Sequence, residues 1–277
     1  FQADYANKSA RSLLNTVPLR DLLNQVINFD RIENNISNGF LSALSVTASN
    51  YSTGNSISFF QSEPGIKPWF RAKRHGEPCQ INSEHLMASA AIPLVFPSIK
   101  IRNQHFGDGS VHQLSPLSPA IHLGAKRILV IGVEQPKEPI HANENNPHPP
   151  NTATIAGHLL DTIFSDTLKS DIERMNRINN TLALIPKENK KNIQGLQHID
   201  SLVLNPSHDF NAMASEHYNE LSLSVRLLLR SVGITNNSES SIGSYLLFEK
   251  NYCNKLIKLG FEDAMNQEAH IRGFLSL

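Results

Sequence analysis

The sequence is poor in cysteine, with two in 277 residues, and neither Cys79 nor Cys253 stands in a C-x-x-C spacing. That excludes a disulfide framework and the common zinc and thiol-redox motifs, and it fits a reducing compartment. No apolar run approaches the length of a membrane-spanning helix. An excess of charge of one sign is also missing, since 25 basic side chains face 25 acidic ones. The only tight basic cluster, Arg71, Lys73 and Arg74 with His75, is too short to track a phosphate backbone, so nucleic acid is not an expected partner. The cluster follows Trp69 and Phe70, and it reads as a solvated loop with one anchoring Trp, a peripheral membrane contact being the weaker alternative.

Complete catalytic motifs are absent as well. There is no G-x-S-x-G, Ser-x-x-Lys, H-E-x-x-H or G-x-x-x-x-G-K-[ST], and the histidines are scattered, so metal catalysis and nucleotide hydrolysis lack support and no cofactor is expected. Ser37 and Ser52 each precede a glycine by two residues but have none two before, which makes them turn serines. No internal repeat and no Gly/Ser linker divides the chain. The opening Phe1-Gln2-Ala3-Asp4-Tyr5 has neither a basic nor an apolar leader region, so an internal start is expected.

What is present is a globular composition, 40% hydrophobic and 18% charged. Residues 41–48 alternate apolar with small or polar side chains, Asn50 to Gly54 carry turn chemistry, and Ser56 to Phe60 resume the alternation, which predicts a hairpin. Ser83 reads as the N-cap of a short apolar helix that stops before Pro93. Ile99 to Ile101 and His105-Phe106 read as brief strands around Arg102-Asn103-Gln104. Leu117 to Leu123 then predicts a helix ending at Gly124, and Arg127 to Val133 a strand of the parallel-sheet type.

Residues 135–151, rich in Pro, Asn and His, read as an exposed loop. From Thr152 a stripe at spacings of three and four, through Leu168, Ile172 and Met175, predicts a long amphipathic helix. A strand at 201–204 and helices around 221–229 and 244–259 follow, the last ending at Gly260.

Asp108 is the ionisable group that draws attention, in Phe106-Gly107-Asp108-Gly109-Ser110. Glycine on both sides permits a sharp turn, with positive φ an open possibility, and leaves room for another group to approach the carboxylate. Taken alone an Asp-Gly pair is usually a plain turn.

The ordered context changes that reading. Leu86-Met87-Ala88-Ser89-Ala90-Ala91-Ile92-Pro93, then Phe96-Pro97, Phe106-Gly107-Asp108-Gly109, Pro116-Leu117, Leu123-Gly124-Ala125 and Ile128-Leu129-Val130-Ile131 resembles the patatin-like phospholipase family. The resemblance reaches upstream through Ser12 to Arg20. It implies an α/β layered fold with a central, mostly parallel sheet flanked by helices, the N-terminal strands lying outside this chain. It implies also a Ser-Asp dyad in which Asp108 occupies the aspartate position. Gly107, Gly109 and Ser110 complete that active-site loop, Ser110 standing where the family carries Gly or Ala. The G-x-S-x-G nucleophile and the Gly-rich oxyanion segment belong upstream of Phe1 on this reading, so the chain by itself is expected to be inactive.

The resemblance divides the chain into the C-terminal part of a patatin-like hydrolase domain at 1–134, the exposed loop at 135–151 and a helical extension with one or more strands at 152–277, packed on the same domain. The implied function is acyl-ester hydrolysis, with a phospholipid or other acyl ester as substrate. The alternative from a different class is a non-catalytic patatin-fold module that binds lipid or protein. Met87, Ile92, Leu94 and Phe96 suit an acyl pocket, although ordinary core packing is the better reading for them. A cytoplasmic or membrane-peripheral location fits, export stays open, and oligomeric state cannot be read.

Overall fold

Three short turns decide most of the larger sheet. A computed structural model describes residues 12, 14–93, 95–136, 152–186, 195–223, 225–227, 244 and 247–276. Within it β1 (Ala43–Asn50) and β2 (Asn55–Ser62) form the expected hairpin, registered Ala43 to Ser62 through Asn50 to Asn55. Asn50 closes the turn, its Oδ1 accepting from the Ser52 and Thr53 amides at 2.8 and 3.2 Å, while Gly54 takes φ +67°. Such side-chain mimicry of a backbone turn is why Asn is favoured there.

β3 (Trp69–Arg71) and β4 (Arg74–Pro78) form a second, tighter hairpin with Lys73 at φ +57°. The basic cluster is therefore strand and turn, not loop. Trp69 is buried, stacked between Phe60 at 5.1 Å and His122 at 4.9 Å, and so is no membrane anchor. Its ring lies across Gly76, where a Cβ would collide with it. β5 (Ile99–Ile101) and β6 (Gln104–Asp108) make the third hairpin, as the pattern predicted.

The six strands run in the order β3-β4-β2-β1-β6-β5, flanked by helices in a mixed α/β arrangement. The expectation of a mostly parallel sheet does not hold for this part: β2–β4 is its only parallel pairing, and the other neighbours are antiparallel. Three connections of two to four residues force antiparallel neighbours, because a parallel crossover needs a dozen residues or more.

Helix α1 (Val17–Val26) follows Asn15, whose Oδ1 accepts from the Val17 amide at 3.0 Å, and α2 (Asp30–Ser37) precedes β1. Helix α3 (Ser83–Ser89) starts one residue earlier than read: Asn82 is the N-cap, accepting from the Glu84 amide at 3.1 Å. The His85 ring reaches back to the Asn82 N–H at 3.2 Å and completes a capping box. Ala48, Ile57, Phe59, Met87, Ala88, Ala91, Ile99 and Phe106 form the core between sheet and α3. Phe59 meets Phe106 edge-on at 5.3 Å. Helix α4 (Ser118–His122) ends before Gly124, which takes φ +97°.

The chain divides into two compact units, the first holding residues 1–126 and 167–197 and the second 127–166 and 198–277. Helix α5 (Thr152–Leu184) contributes to both, and Asp171, Met175 and Leu182 are its buried residues in the first. In the second unit β7 (Arg127–Ile131) and β8 (Asp200–Leu204) pair in parallel, as the apolar run predicted. Helix α6 (Phe210–His217), capped by Asp209, packs with Leu221, Leu247 and Tyr252 into a separate core. Helix α7 (Lys250–Asn266) runs through Gly260 instead of ending there, and α8 (Glu268–Leu275) follows. The propensity cost of one helical glycine, about 1 kcal/mol, is small beside the packing of Tyr252 and Leu259. Residues 137–151, 187–194 and most of 228–246 lie outside the described residues, and with them most of the predicted 135–151 loop, residues 224, 228 and 229 of the predicted 221–229 helix and residues 245–246 of the predicted 244–259 helix.

Candidate active site

Asp108 is the last residue of β6 and sits opposite Ala48 of β1, the middle of the larger sheet. Its amide donates to the Ala91 carbonyl at 3.0 Å, which joins the strand end to the turn after α3. The backbone then tightens into a 3-10 turn over Gly109–Val111. The Asp108 carboxylate caps that turn, Oδ1 accepting from the Ser110 amide at 2.9 Å.

Ser49 holds the far side of the loop. It is fully buried, its Oγ donating to the Gly109 carbonyl at 3.1 Å and accepting from the His112 amide at 3.0 Å. Gly109 faces the Thr47 carbonyl so closely that a Cβ there would strike backbone. Gly107 lies under the Tyr51 ring and hydroxyl, which a Cβ would also strike. Neither glycine has positive φ. Their place in the loop comes from close approach, which corrects the suggestion of a left-handed turn.

Of the four residues singled out in the sequence, Gly107 and Asp108 thus end β6 and Gly109 and Ser110 open the turn after it, and Asp108, Gly109 and Ser110 line a cavity of about 640 Å³. Leu19 and Leu23 of α1, Val46 of β1 and Leu86, Met87 and Ala90 from α3 and its C-cap supply its apolar wall. Ser45, Thr47 and Gln113 supply polar groups, and Ser45 Oγ is buried with no protein partner. Of the apolar residues considered for an acyl pocket, Met87 lines this cavity. Phe96 packs against the core instead, and Leu94 lies outside the described residues.

Asp108 is 8% exposed. Removal from water pushes its carboxyl above the ordinary aspartate range, and the hydrogen bonds from the Ser110 amide and hydroxyl pull the other way without cancelling the effect. The Tyr51 hydroxyl responds to the same surroundings: burial raises its pKa first, and the Asp108 charge adds to the rise. A half-enclosed carboxylate of raised basicity is suited to taking a proton from an alcohol or water held in the cavity. Among the described residues no group of three or more His, Cys, Asp and Glu side chains is placed to hold a metal ion.

Tyr51, Ser49 and α1 were not legible as parts of the site. Tyr51 reads as a turn residue, Ser49 as one more alternating polar position, and α1 lies more than 80 residues from Asp108 in sequence. The neighbouring Cys79 and His85, with Sγ and Nε2 at 3.6 Å, do not form a second nucleophilic pair. Burial and the Glu77 charge push the Cys79 thiol up to about 11, so it stays protonated.

The fold and the site together define a mixed α/β protein with a buried carboxylate on the wall of an apolar cavity. Residues 2–121 match the model of the patatin family, described as patatin-like phospholipase, and the likeness is confined to that segment. The match takes in all six strands of the larger sheet and Asp108, and it ends within α4. No curated protein matches the chain.

Proposed function

We propose that the protein is a lipid acyl hydrolase in which Asp108 is the general base of a Ser-Asp dyad. The observation that carries this reading is the Asp108 carboxylate, buried on the wall of an apolar cavity within the patatin-matched segment. In the reaction a serine hydroxyl gives its proton to Asp108 as its oxygen attacks the ester carbonyl. The tetrahedral adduct expels the alcohol, which takes the proton, and leaves an acyl-serine. Water then repeats the sequence, giving its proton to Asp108 and releasing the fatty acid. No histidine relay is needed.

The nucleophile is assigned to a G-x-S-x-G segment that residues 1–277 do not contain. The 277-residue chain alone is therefore expected to hydrolyse nothing. Ser110 is not the nucleophile on this reading, because Gly109-Ser110-Val111 lacks the G-x-S-x-G elbow that presents a nucleophilic serine. The substrate is a phospholipid or related acyl ester, matched by the Leu, Met and Val side chains of the cavity wall. Among the described residues no helix is long and apolar enough to cross a membrane, so contact with lipid is proposed to be peripheral.

The test is fluorophosphonate labelling of the native-length protein with mass mapping of the labelled peptide. One labelled serine in a G-x-S-x-G segment, with labelling lost in Asp108→Asn, is the expected result. Absence of label on folded protein would discard the hydrolase reading in favour of a binding module.

A further inference from the structure

Helix α1 presents a single apolar face, Leu19, Leu22, Leu23 and Val26, at positions i, i+3, i+4 and i+7. Half of that face belongs to the Asp108 cavity: Leu19 and Leu23 line it, and Leu23 also packs against the core. The other half is open, with Leu22 51% and Val26 66% exposed. No residue of α1 is buried, which is unusual for a helix with so regular an apolar stripe. The helix is nonetheless fixed in place. The Leu14 amide donates to the Val95 carbonyl at 2.9 Å just before it, and Arg20 Nη2 donates to Glu84 Oε2 of α3 at 3.1 Å.

We propose that α1 is a fixed lipid-facing lip of the Asp108 cavity, docking on the hydrocarbon of an aggregated lipid through Leu22 and Val26 while Leu19 and Leu23 lead the acyl chain inward. The proposal rests on the acyl hydrolase reading for what enters the cavity, although docking itself is measured without turnover. The occupant is chosen by chemistry. The exposed and cavity-lining residues lie on one aliphatic face, which the hydrocarbon of a lipid matches both outside and inside the cavity. The only charged side chains on α1 are Arg20 and Asp21, of opposite sign, and Arg20 is engaged with Glu84. An electrically neutral surface fits this helix, in contrast to the anionic surfaces that Lys/Arg-rich interfacial helices select.

The experiment is flotation of the native-length protein with phosphatidylcholine vesicles, comparing wild type with the double variant Leu22→Glu, Val26→Glu. Both positions are solvent-exposed, and thermal unfolding of the variant checks that the fold is kept. Wild-type protein is expected to float with neutral vesicles to an extent that added salt does not reduce, and the double variant to bind about tenfold less or weaker still. Asp108→Asn is expected to float like wild type while losing hydrolysis, which separates docking from chemistry. Equal flotation of the folded double variant would overturn the proposal, as would binding confined to anionic vesicles and abolished by salt. Failure of wild type to float while it hydrolyses soluble esters would overturn the lip and leave the hydrolase reading standing. Flotation lost in the double variant, with no hydrolysis by any form, would keep the lip and overturn the hydrolase reading.

Discussion

Asp171, in the part of α5 that belongs to the first unit, accepts a hydrogen bond from Ser115 Oγ at 2.6 Å with its carboxylate Oδ1. Its Oδ2 accepts from the Leu117 amide at 3.0 Å, so one buried side chain from a remote helix fastens the turn that leads from the Asp108 loop into α4. Asp171→Ala strips partners from a buried hydroxyl and a buried amide, a loss of about 2–4 kcal/mol. Denaturant unfolding should show it as a lower midpoint with an unchanged slope.

Gly109→Ala and Gly107→Ala are expected to differ. The Cβ at Gly109 meets the Thr47 carbonyl of the central strand, which cannot move without disturbing the sheet, and the cost is about 1–3 kcal/mol. At Gly107 the Cβ meets the Tyr51 side chain, whose far end is able to rotate away. Thermal unfolding of the two variants should rank Gly109→Ala as the less stable, and the reverse order would contradict the assigned contacts.

Asp108→Asn should lower kcat by at least about a hundredfold, because the carboxylate is asked to move a proton. Its effect on stability has the opposite sense. In acid below the ordinary aspartate range, folded and unfolded chains both keep the Asp108 proton. As pH rises toward the raised folded-state value the unfolded chain loses it first, so ionisation favours unfolding and stability falls through that window. The asparagine variant escapes this fall. Its melting temperature relative to wild type should therefore climb from acid to neutral pH, and a flat difference would show that Asp108 is not held above its ordinary range.

Ser110→Ala removes one of the two hydrogen bonds that favour the Asp108 carboxylate. The acid limb of the pH–rate profile should move to higher pH, with activity near neutral pH largely retained. A limb that stays in place would mean that the hydroxyl does not act on the base.

Local chemistry made part of this structure legible and left the rest hidden. The β1–β2 hairpin followed from alternation and Asn50-Gly54 turn residues, and Asp108 stood out because glycine flanks it. The β3–β4 hairpin did not, because Arg71, Lys73 and Arg74 read as a charge cluster, whereas the strands are held where the Trp69 ring lies across Gly76. Asn82 and Ser83 are equally good caps by residue type, and the His85 ring, which reaches back to Asn82, decides between them. The pairing of β1 with β6, which sets Asp108 beside the central strand, joins segments more than fifty residues apart and leaves no local signature.

Tyr51 sits at the tip of the β1–β2 hairpin and folds back over Gly107, beside the carboxylate. Hairpin tips are ordinarily where a chain accepts insertions and drift. Here the tip is anchored: the Tyr51 amide donates to the His105 carbonyl at 2.9 Å, which carries the β1–β6 pairing one residue further and seats the ring over Gly107. Residues added after Tyr51 would leave that seat in place, whereas one added before it would unseat the ring.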